Sequence, residues 1–439
     1  MRITRLEAQG IGPFEDLNIE FKPKPAGMEN KAEIHILTGE NGTGKSTILM
    51  MLASIVDVSN DESLSQRFQN LVLFRYRVFC DLNVFEFDCS RIYNGAYSKK
   101  EIDSQLLNLE IQNRIHPMGY LENESRIHSN LHVERGTDFC FFGYSGFRST
   151  NGKGIVNIKE IISNPFEDAV NFEKSIDSDL ILDWVANVIT KGLLSKNRGK
   201  EATGNNSVQK IEKALSDITG KKIEFDLEET LKVSVKVNDV SLSFNTLPDG
   251  LKSIISWLSD LLMRLDRINW ADKTKSILEQ NFILFLDEIE VHLHPSWQRK
   301  ILPVVQDLFP NAQIFISTHS PFVVGSVDGA RVYKFKLDEN NNSVLDSEYW
   351  TEDGNSYQYY LREVFDIKNE FGVKIDESLQ ELQRLKEKAL KGSVEDYEKF
   401  MILSDKLLNE NPNSVELSSI VGFERRKLEK QFPTQPVTV

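Results

Sequence analysis

The strongest constraint on this chain is a glycine-rich loop near its amino terminus. Residues 34–37 are apolar and predict a short strand, the octapeptide GENGTGKS (39–46) follows, and residues 48–56 predict a helix. A loop of the pattern G-x-x-x-x-G-K-[ST] between a strand and a helix surrounds a phosphate with backbone N–H groups. The sequence therefore predicts a phosphate-binding loop in an α/β domain. A glycine-rich turn without a ligand is the alternative.

The residue types in this loop match the groups of a nucleoside triphosphate and its metal ion. The glycines allow N–H groups to curl around the β-phosphate, Lys45 can reach the β- and γ-phosphates, and the Ser46 hydroxyl can ligate Mg²⁺. We therefore expect ATP and Mg²⁺ as cofactors. The expected nucleotide-binding residues of the loop are Gly39, Glu40, Asn41, Gly42, Thr43, Gly44, Lys45, Ser46 and Thr47.

Two adjacent carboxylates follow a second apolar segment much later in the chain. Phe282–Leu286 predicts a buried strand, and Asp287 and Glu288 come directly after it. Asp287 suits an outer ligand of Mg²⁺, and Glu288 suits the base that polarises the attacking water. Two surface acids at the end of a strand are the alternative, which the phosphate-binding loop upstream disfavours.

A histidine stands at the tip of the next predicted strand. Gln313–Ser317 predicts this strand, and a helix from about 297 to 308 precedes it. Such a β-α-β unit belongs to a mostly parallel sheet. We expect His319 to hydrogen-bond the γ-phosphate or the attacking water, and so to act in catalysis with Lys45 and Glu288. A purely structural histidine is the alternative.

The spacing of these motifs indicates the class of nucleotide-binding domain. Lys45 and Asp287 are 242 positions apart. Ring-forming hexameric ATPases keep the two motifs much closer, so the spacing favours an ABC-type head with a long insertion. Such a head needs a signature loop before the Asp-Glu strand, and LPDGLK (247–252) stands there at the start of an apolar helix. We expect Asp249 and Gly250 to contact ATP held by a second copy. An ordinary turn and helix cap is the alternative.

Composition favours a globular protein of the cytoplasm. Of the 439 residues, 40% are hydrophobic and 27% are charged, and no apolar run is long enough to cross a bilayer. The amino terminus alternates like a strand and lacks an apolar signal core. Cys80, Cys89 and Cys140 are sparse and odd in number, which fits a reducing compartment. We therefore expect a cytoplasmic protein that does not engage a membrane.

The charge of the chain is unevenly distributed. The formal net charge is −14, yet residues 191–222 carry eight basic and three acidic residues, a local balance of +5. This segment is a candidate surface for the phosphates of DNA. A solvated helix face with its neighbouring loop is the alternative.

The pattern of elements predicts a head and a tail. We expect an ABC-type ATPase head over residues 1–350, with an inserted helical and β lobe at about 95–230, and a helical tail over residues 351–439. Charged helical segments at 375–390, 394–408 and 415–429 make up the tail. Its leucines at 379, 382 and 385 have helical spacing, so they either pack the tail onto the head or dock a partner.

The motifs together resemble a known group of proteins. The segments IGPF (11–14), GENGTGKST (39–47), LFLDEIEVHLHPSWQ (284–298) and ISTHSPF (316–322) are similar to those of the RecF-like and overcoming-lysogenisation-defect-like branch of ABC ATPases. FGYSGFR (142–148) resembles an aromatic–arginine motif of the same branch. In its compact size and short tail, the chain resembles the ATPase subunits of Septu defence systems and their retron-associated relatives. PARIS-type ATPases are the alternative.

The resemblance implies partners as well as a reaction. It implies a homodimer or higher homo-oligomer through the heads, and a separate nuclease subunit of HNH or Toprim type in an anti-phage complex. A nuclease centre in this chain is not expected, because no histidine follows His319 and because Asp177 and Asp179 lie in a polar stretch of the insertion. A RecF-like DNA-repair or DNA-clamp ATPase without a toxic partner is the alternative.

Two features depart from the pattern of the family. Pro248 stands where the signature loop usually has serine, which leaves the Gly250 N–H as the expected donor to the γ-phosphate. No glutamine is assigned to the Q-loop, and neither Gln105 nor Gln112 is assigned to it. The H-x-H pair His292 and His294 is interpreted, by resemblance, as part of a loop near the second head. A metal site is the alternative.

Overall fold

The computed structural model contains two compact units, Met1–Tyr360 and Leu361–Val439, which we call the head and the tail. The predicted boundary lay at 350, ten residues earlier than the division found here. The residues that the structure describes are 1–54, 73–81, 84–90, 98–102, 136–146, 150–151, 161–197, 206–230, 232–367 and 371–430.

Strands occur only in the head within these ranges. They are β1 (Ile3–Ile11), β2 (Phe14–Glu20), β3 (Glu33–Gly39), β4 (Leu73–Cys80), β5 (Val84–Ser90), β6 (Ser98–Ile102), β7 (Cys140–Tyr144), β8 (Thr150–Asn151), β9 (Ile176–Asp177), β10 (Ile223–Leu227), β11 (Val233–Val237), β12 (Val240–Ser243), β13 (Phe282–Leu286), β14 (Gln313–Ser317), β15 (Arg331–Leu337) and β16 (Ser343–Trp350).

Helices alternate with these strands and then form the tail. They are α1 (Lys45–Ala53), α2 (Ser178–Asn197), α3 (Asn206–Thr219), α4 (Asp249–Arg267), α5 (Pro295–Leu308), α6 (Pro321–Val324), α7 (Tyr357–Glu363), α8 (Val373–Leu390), α9 (Val394–Glu410) and α10 (Val415–Glu429). Short 3₁₀ turns cover Phe244–Thr246 and Ile277–Glu279.

The centre of the head is a mostly parallel sheet, as predicted. Its described strands lie in the order β16-β15-β3-β14-β13-β7, and only the β15–β16 pair is antiparallel. The strands β13 and β14 are buried along their whole length, which is typical of parallel strands covered on both faces. Parallel strands end at the same edge, so the residues that follow β3, β13 and β14 meet there.

The strand β7 belongs to this central sheet although it falls inside the predicted insertion at about 95–230. All five of its residues are buried, and its register pairs Phe282 with Cys140 and Leu286 with Tyr144. The insertion therefore contributes a strand to the core of the head. The sequence does not predict that β7 joins the central sheet, because a run of five apolar residues does not indicate which sheet a strand belongs to.

The helix α1 is enclosed between the central sheet and a second, antiparallel sheet. That second sheet has the order β2-β1-β4-β5-β6 in the described residues. Every residue of α1 except Ser46 is buried, and the helix belongs to a core cluster that also contains Phe14, Phe285 and Phe335. A helix that is apolar all round is expected to be buried in this way. The enclosure fixes the loop that opens α1.

A hairpin leads into the helix of the predicted signature loop. The strands β11 and β12 pair antiparallel across Asn238 and Asp239, whose φ angles of 47° and 68° suit a type I′ turn. The 3₁₀ turn Phe244–Thr246 then leads to α4, whose N-cap is Pro248. The sequence predicts this arrangement, because apolar and polar residues alternate over 231–237 and 240–244, Asn238-Asp239 favours a turn, and an apolar helix follows. The structure confirms that prediction.

The tail has its own hydrophobic core. Leu382 and Leu385 are 5% and 6% exposed, and Leu379 packs against the same cluster, which is made of residues from α8, α9 and α10. These leucines therefore pack the tail helices against one another, and the interpretation of them as an exposed docking face is wrong. The described tail instead exposes Ile402 (69%) and Phe423 (58%).

In the part of the chain that is described, none of the helices combines the length and the apolar character that a membrane span requires.

Candidate functional site

The backbone of the glycine-rich loop depends on its glycines. Gly39, Gly42 and Gly44 have φ angles of 146°, 85° and 80°, in the region that L side chains rarely adopt. A Cβ atom on Gly39 would lie 2.3 Å from the carbonyl oxygen of Phe335, and one on Gly44 would lie 2.6 Å from the Phe14 ring. The positive φ angles favour glycine at all three positions, and close packing behind the loop also requires it at Gly39 and Gly44.

Lys45 is held inside this loop. Its Nζ donates to the carbonyl oxygens of Gly39 at 3.1 Å and Glu40 at 2.9 Å. Burial lowers the pKa of Lys45 to about 8, an effect opposed by Asp287 and Glu288. With the Thr43 hydroxyl at 3.4 Å, three neutral oxygens accept from the ammonium group. A phosphate would offer it charged oxygens, which form stronger hydrogen bonds.

Ser46 joins the loop to the acidic pair. Its hydroxyl donates to Oδ1 of Asp287 at 3.0 Å, across 241 positions of sequence. The fold thus brings together the two oxygens that the sequence assigns to Mg²⁺. Hydroxyl and carboxylate oxygens are the donors that this hard cation prefers, so the residues present fit the ion.

Ser317 fixes both acids from the neighbouring strand, and sequence reasoning missed this role. Its hydroxyl donates to Oδ1 of Asp287, and its oxygen accepts from the Glu288 N–H at 2.9 Å. The Asp287 N–H donates to the carbonyl oxygen of Tyr144 at 2.9 Å. The main chain at the acidic pair is therefore held by β14 on one side and β7 on the other.

Glu288 has an unusual backbone conformation. Its φ angle is 44°, in the left-handed region that is costly for a residue with a side chain. Such conformations persist where the surrounding structure dictates them, and they cluster at functional sites. The hydrogen bond to Ser317 and the carbonyl of Glu288, which accepts from Val291 N at 3.1 Å, both hold it.

His319 lies half-buried close to these groups. Burial lowers its pKa, and the nearby Lys45 charge lowers it further, against a smaller opposing effect of Asp287. The imidazole is therefore neutral at pH 7 and can hydrogen-bond without carrying a charge. Its backbone N–H donates to Oε1 of Glu290.

A single cavity of about 320 Å³ joins the three motifs. Ligand pockets in proteins start near this size. Sequence reasoning did not find Gly12 and Pro13 in its wall, although it used IGPF for the resemblance. The lining residues are Gly12, Pro13, Asn41, Gly42, Gly44, Lys45, Ser46, Thr47, Glu288, Ser317 and His319.

The predicted signature residues do not line this cavity in the described structure. Asp249 and Gly250 open α4, and a Cβ atom on Gly250 would lie 2.5 Å from the carbonyl oxygen of His292. His294 caps α5 by accepting from Ser296 N. The two histidines thus belong to the loop that packs against α4, and their proximity to a second head stays a prediction.

The basic segment is partly neutralised where the structure describes it. Lys213 pairs with Asp217 at 3.6 Å, and Lys222 lies 2.9 Å from Glu224. These ion pairs reduce the local positive charge available to DNA phosphates. Gln105, Gln112, Phe147, Arg148, Arg198 and Lys200 lie outside the described residues.

Family models match two parts of the head. One described as "AAA domain, putative AbiEii toxin, Type IV TA system" matches residues 166–325, and one described as "AAA domain" matches residues 1–58. The first contains the acidic pair and His319, and the second contains the glycine-rich loop.

Curated relatives match most of the chain. "Retron Vc95 probable ATPase" of Vibrio cholerae serotype O1 biovar El Tor is 27% identical, over 69% of this chain and 70% of the relative. "Septu protein PtuA" of Bacillus thuringiensis is 22% identical, over 77% of this chain and 76% of the relative. Among solved structures, an SMC head bound to the C-winged helix domain of ScpA is 10% identical with a TM-score of 0.46, covering 80% of this chain and 98% of that one.

The glycine-rich loop, the buried strand that ends in two acids and the retron relative named as a probable ATPase all indicate an ATPase. The chain is therefore an ATPase with the fold of an ABC-type P-loop head, and it is similar to Septu and retron-associated ATPases.

Proposed function

We propose that this chain is the ATP-hydrolysing subunit of an anti-phage defence complex, in which two heads pair across ATP and control a separate nuclease subunit. The observation that carries the ATP site is the cavity that brings Lys45, Ser46, Glu288 and His319 together. Similarity to Septu and retron ATPases supports the defence role.

Each residue of the cavity has a role in the proposed hydrolysis. The N–H groups of the loop and Lys45 hold the β- and γ-phosphates. Ser46 and Asp287 would hold Mg²⁺, which when bound neutralises charge on the phosphates. Glu288 accepts a proton from the attacking water, and neutral His319 hydrogen-bonds the γ-phosphate.

A second head completes the site in this proposal. Asp249 and Gly250 stand at the amino end of the 19-residue helix α4, where unpaired N–H groups favour an anion. They lie apart from the described wall of their own cavity. We place them against the γ-phosphate of the partner's ATP. The Gly250 N–H donates the hydrogen bond there, because Pro248 has no hydroxyl.

Partner control is assigned to the tail. The tail exposes Ile402 and Phe423, although large apolar side chains are usually buried. Ile402 lies on α9 and Phe423 on α10, two helices that contact each other. We propose that this part of the tail contacts the nuclease subunit, in place of the leucines of α8.

A phage challenge tests the proposal. Cells would carry this chain with its neighbouring reading frames, and plaque formation by a phage panel would be counted. Lys45→Ala should abolish protection, whereas the exposed control Lys273→Ala should retain it. Protection that survives Lys45→Ala would contradict the ATP-dependent defence role. Sensitivity to DNA damage on deletion, without any phage protection, would support a DNA-repair clamp instead.

A further inference from the structure

One glycine of the head lies directly against the proposed base. Gly146 follows β7 and is buried, and a Cβ atom on it would lie 2.8 Å from Cβ and 2.8 Å from Oε2 of Glu288. Real Cβ atoms essentially never come this close to another atom. Gly146 does not have a positive φ angle, so its backbone conformation is open to any residue and does not itself demand glycine.

The backbone of Glu288 cannot easily retreat from such a contact. Its N–H is bonded to the Ser317 hydroxyl, and the N–H of Asp287 before it is bonded to Tyr144 O. Ile289 after it is fully buried. A methyl group at position 146 would therefore displace the Glu288 carboxylate by rotation about the side-chain bonds. Because the Glu288 Cβ does not move with that rotation, the main chain at residue 146 or 288 would also have to shift.

We propose that Gly146 is a positioning residue for hydrolysis: it leaves the space in which the Glu288 carboxylate lies. The inference rests on the proposed role of Glu288 as the base. Displacement of a catalytic group by about 1 Å can cost on the order of a hundredfold in rate. The three atoms nearest to a Cβ on Gly146 all belong to Glu288 and none to the loop or Lys45, so nucleotide binding should survive the substitution.

Gly143 provides a matched control for crowding. It lies in β7, three residues before Gly146, and a Cβ atom there would meet the Phe172 ring at 3.1 Å and Val170 at 3.3 Å. An added methyl is therefore also crowded at this position, but against packing residues and not against Glu288. Gly354, with nothing within 4 Å, is an uncrowded control.

The test compares Gly146→Ala, Gly143→Ala and Gly354→Ala for binding of a non-hydrolysable ATP analogue and for ATP turnover. We expect Gly146→Ala to bind the analogue as the parent does and to lose on the order of tenfold to a hundredfold in kcat. The two control variants should keep the parental kcat. Equal kcat for Gly146→Ala and Gly143→Ala would overturn the proposal. Loss of analogue binding in Gly146→Ala, but in neither control, would also overturn it, because the glycine would then be needed for the structure of the binding site.

A double variant separates this proposal from the assignment of the base. If Gly146 acts through Glu288, adding Gly146→Ala to Glu288→Gln should cause no further loss of turnover, since the carboxylate is already removed. A further tenfold loss would show that Gly146 acts elsewhere. If Glu288→Gln hydrolyses ATP at the parental rate, Glu288 is not the base and Gly146 does not position it. If Glu288→Gln is inactive but Gly146→Ala is fully active, only the role of Gly146 is overturned.

Discussion

At the scale of single residues, two serine hydroxyls connect motifs that are far apart in sequence. Ser46 and Ser317 both donate to Oδ1 of Asp287, one from the glycine-rich loop and one from β14. Ser317 also accepts from the N–H of Glu288. One hydroxyl therefore orients the side chain of one acid and the main chain of the next, both at the edge of the cavity.

Ser317→Ala should lower turnover more than nucleotide binding. The loop and Lys45 remain in place, while Asp287 and Glu288 each lose a hydrogen bond, which is worth on the order of tenfold in rate. Steady-state kinetics would show this as a fall in kcat with little change in KM. Ser326→Ala, which removes a hydroxyl bonded only to Val323 O in the described contacts, is the control. Parental kcat in Ser317→Ala would show that this hydroxyl has no part in orienting the acids.

The sequence predicted most of the loop and the acidic pair, because these motifs are local patterns with a fixed chemistry. It could not predict that Ser317, Gly12 and Pro13 would join them. Their contribution depends on which strands become neighbours, and that is decided by the packing of the whole sheet. The sequence predicts Ser317 as the last residue of its strand, but no local pattern indicates that its hydroxyl bonds to Asp287.

At the scale of secondary-structure elements, a buried polar cluster joins β1, β3 and β14. Glu33 accepts from Arg2 at 2.8 Å, from Gln313 at 2.8 Å and from His35 at 2.7 Å. Burial alone would raise the pKa of Glu33, but the bonds from His35 and Arg2 hold it at about 2. Burial lowers the pKa of His35, so a neutral imidazole donates to a charged carboxylate.

This cluster predicts a pH dependence of stability. The pKa of Glu33 in the folded protein is about 2, below its ordinary value of 4.5. Its contribution is therefore fully present above pH 4.5 and is lost as the pH falls towards 2. Glu33→Gln should lower the free energy of unfolding at pH 7 by on the order of 3 kcal/mol, and this difference should shrink in acid.

Thermal melts of Glu33→Gln and of the exposed control Glu20→Gln would check this expectation between neutral and acid pH. Glu20→Gln should follow the parent throughout. A stability difference for Glu33→Gln that stays constant as the pH falls would contradict the depressed pKa.

The element boundaries show where sequence patterns succeed. The hairpin β11–β12 and the three tail helices were predicted from period, turn residues and caps, all of which are local. The membership of β7 in the central sheet was not, because its partner β13 lies more than a hundred residues away. The leucines of α8 were correctly placed on one face, but the pattern does not say which surface covers that face.

At the scale of the whole molecule, the head and the tail each have their own buried core. Deleting residues 371–439 should leave ATP turnover intact, because the buried tail cluster is made of tail residues. If the tail docks a nuclease subunit as proposed, the same deletion should abolish co-purification with that subunit. Loss of ATPase activity together with loss of solubility would instead show that the tail is needed for the fold of the head.

Phe423→Asp refines the test of the tail, since Phe423 is 58% exposed and its replacement should not unfold the helices. Co-purification should fall while the thermal transition of the tail stays in place. Leu382→Asp, at a buried position of the tail core, should instead lower that transition. Retained co-purification by a folded Phe423→Asp would place the docking surface elsewhere.

The central claim is that two heads pair across ATP and that Glu288 ends the pairing by hydrolysis. Glu288→Gln keeps the shape of the side chain and removes the proton acceptor. Light scattering of this variant should show a dimer or larger oligomer on addition of ATP and magnesium, with no product formed, whereas Lys45→Ala should show no response to ATP. Parental hydrolysis by Glu288→Gln, or an ATP-bound form that stays at the mass of the nucleotide-free protein, would contradict the account.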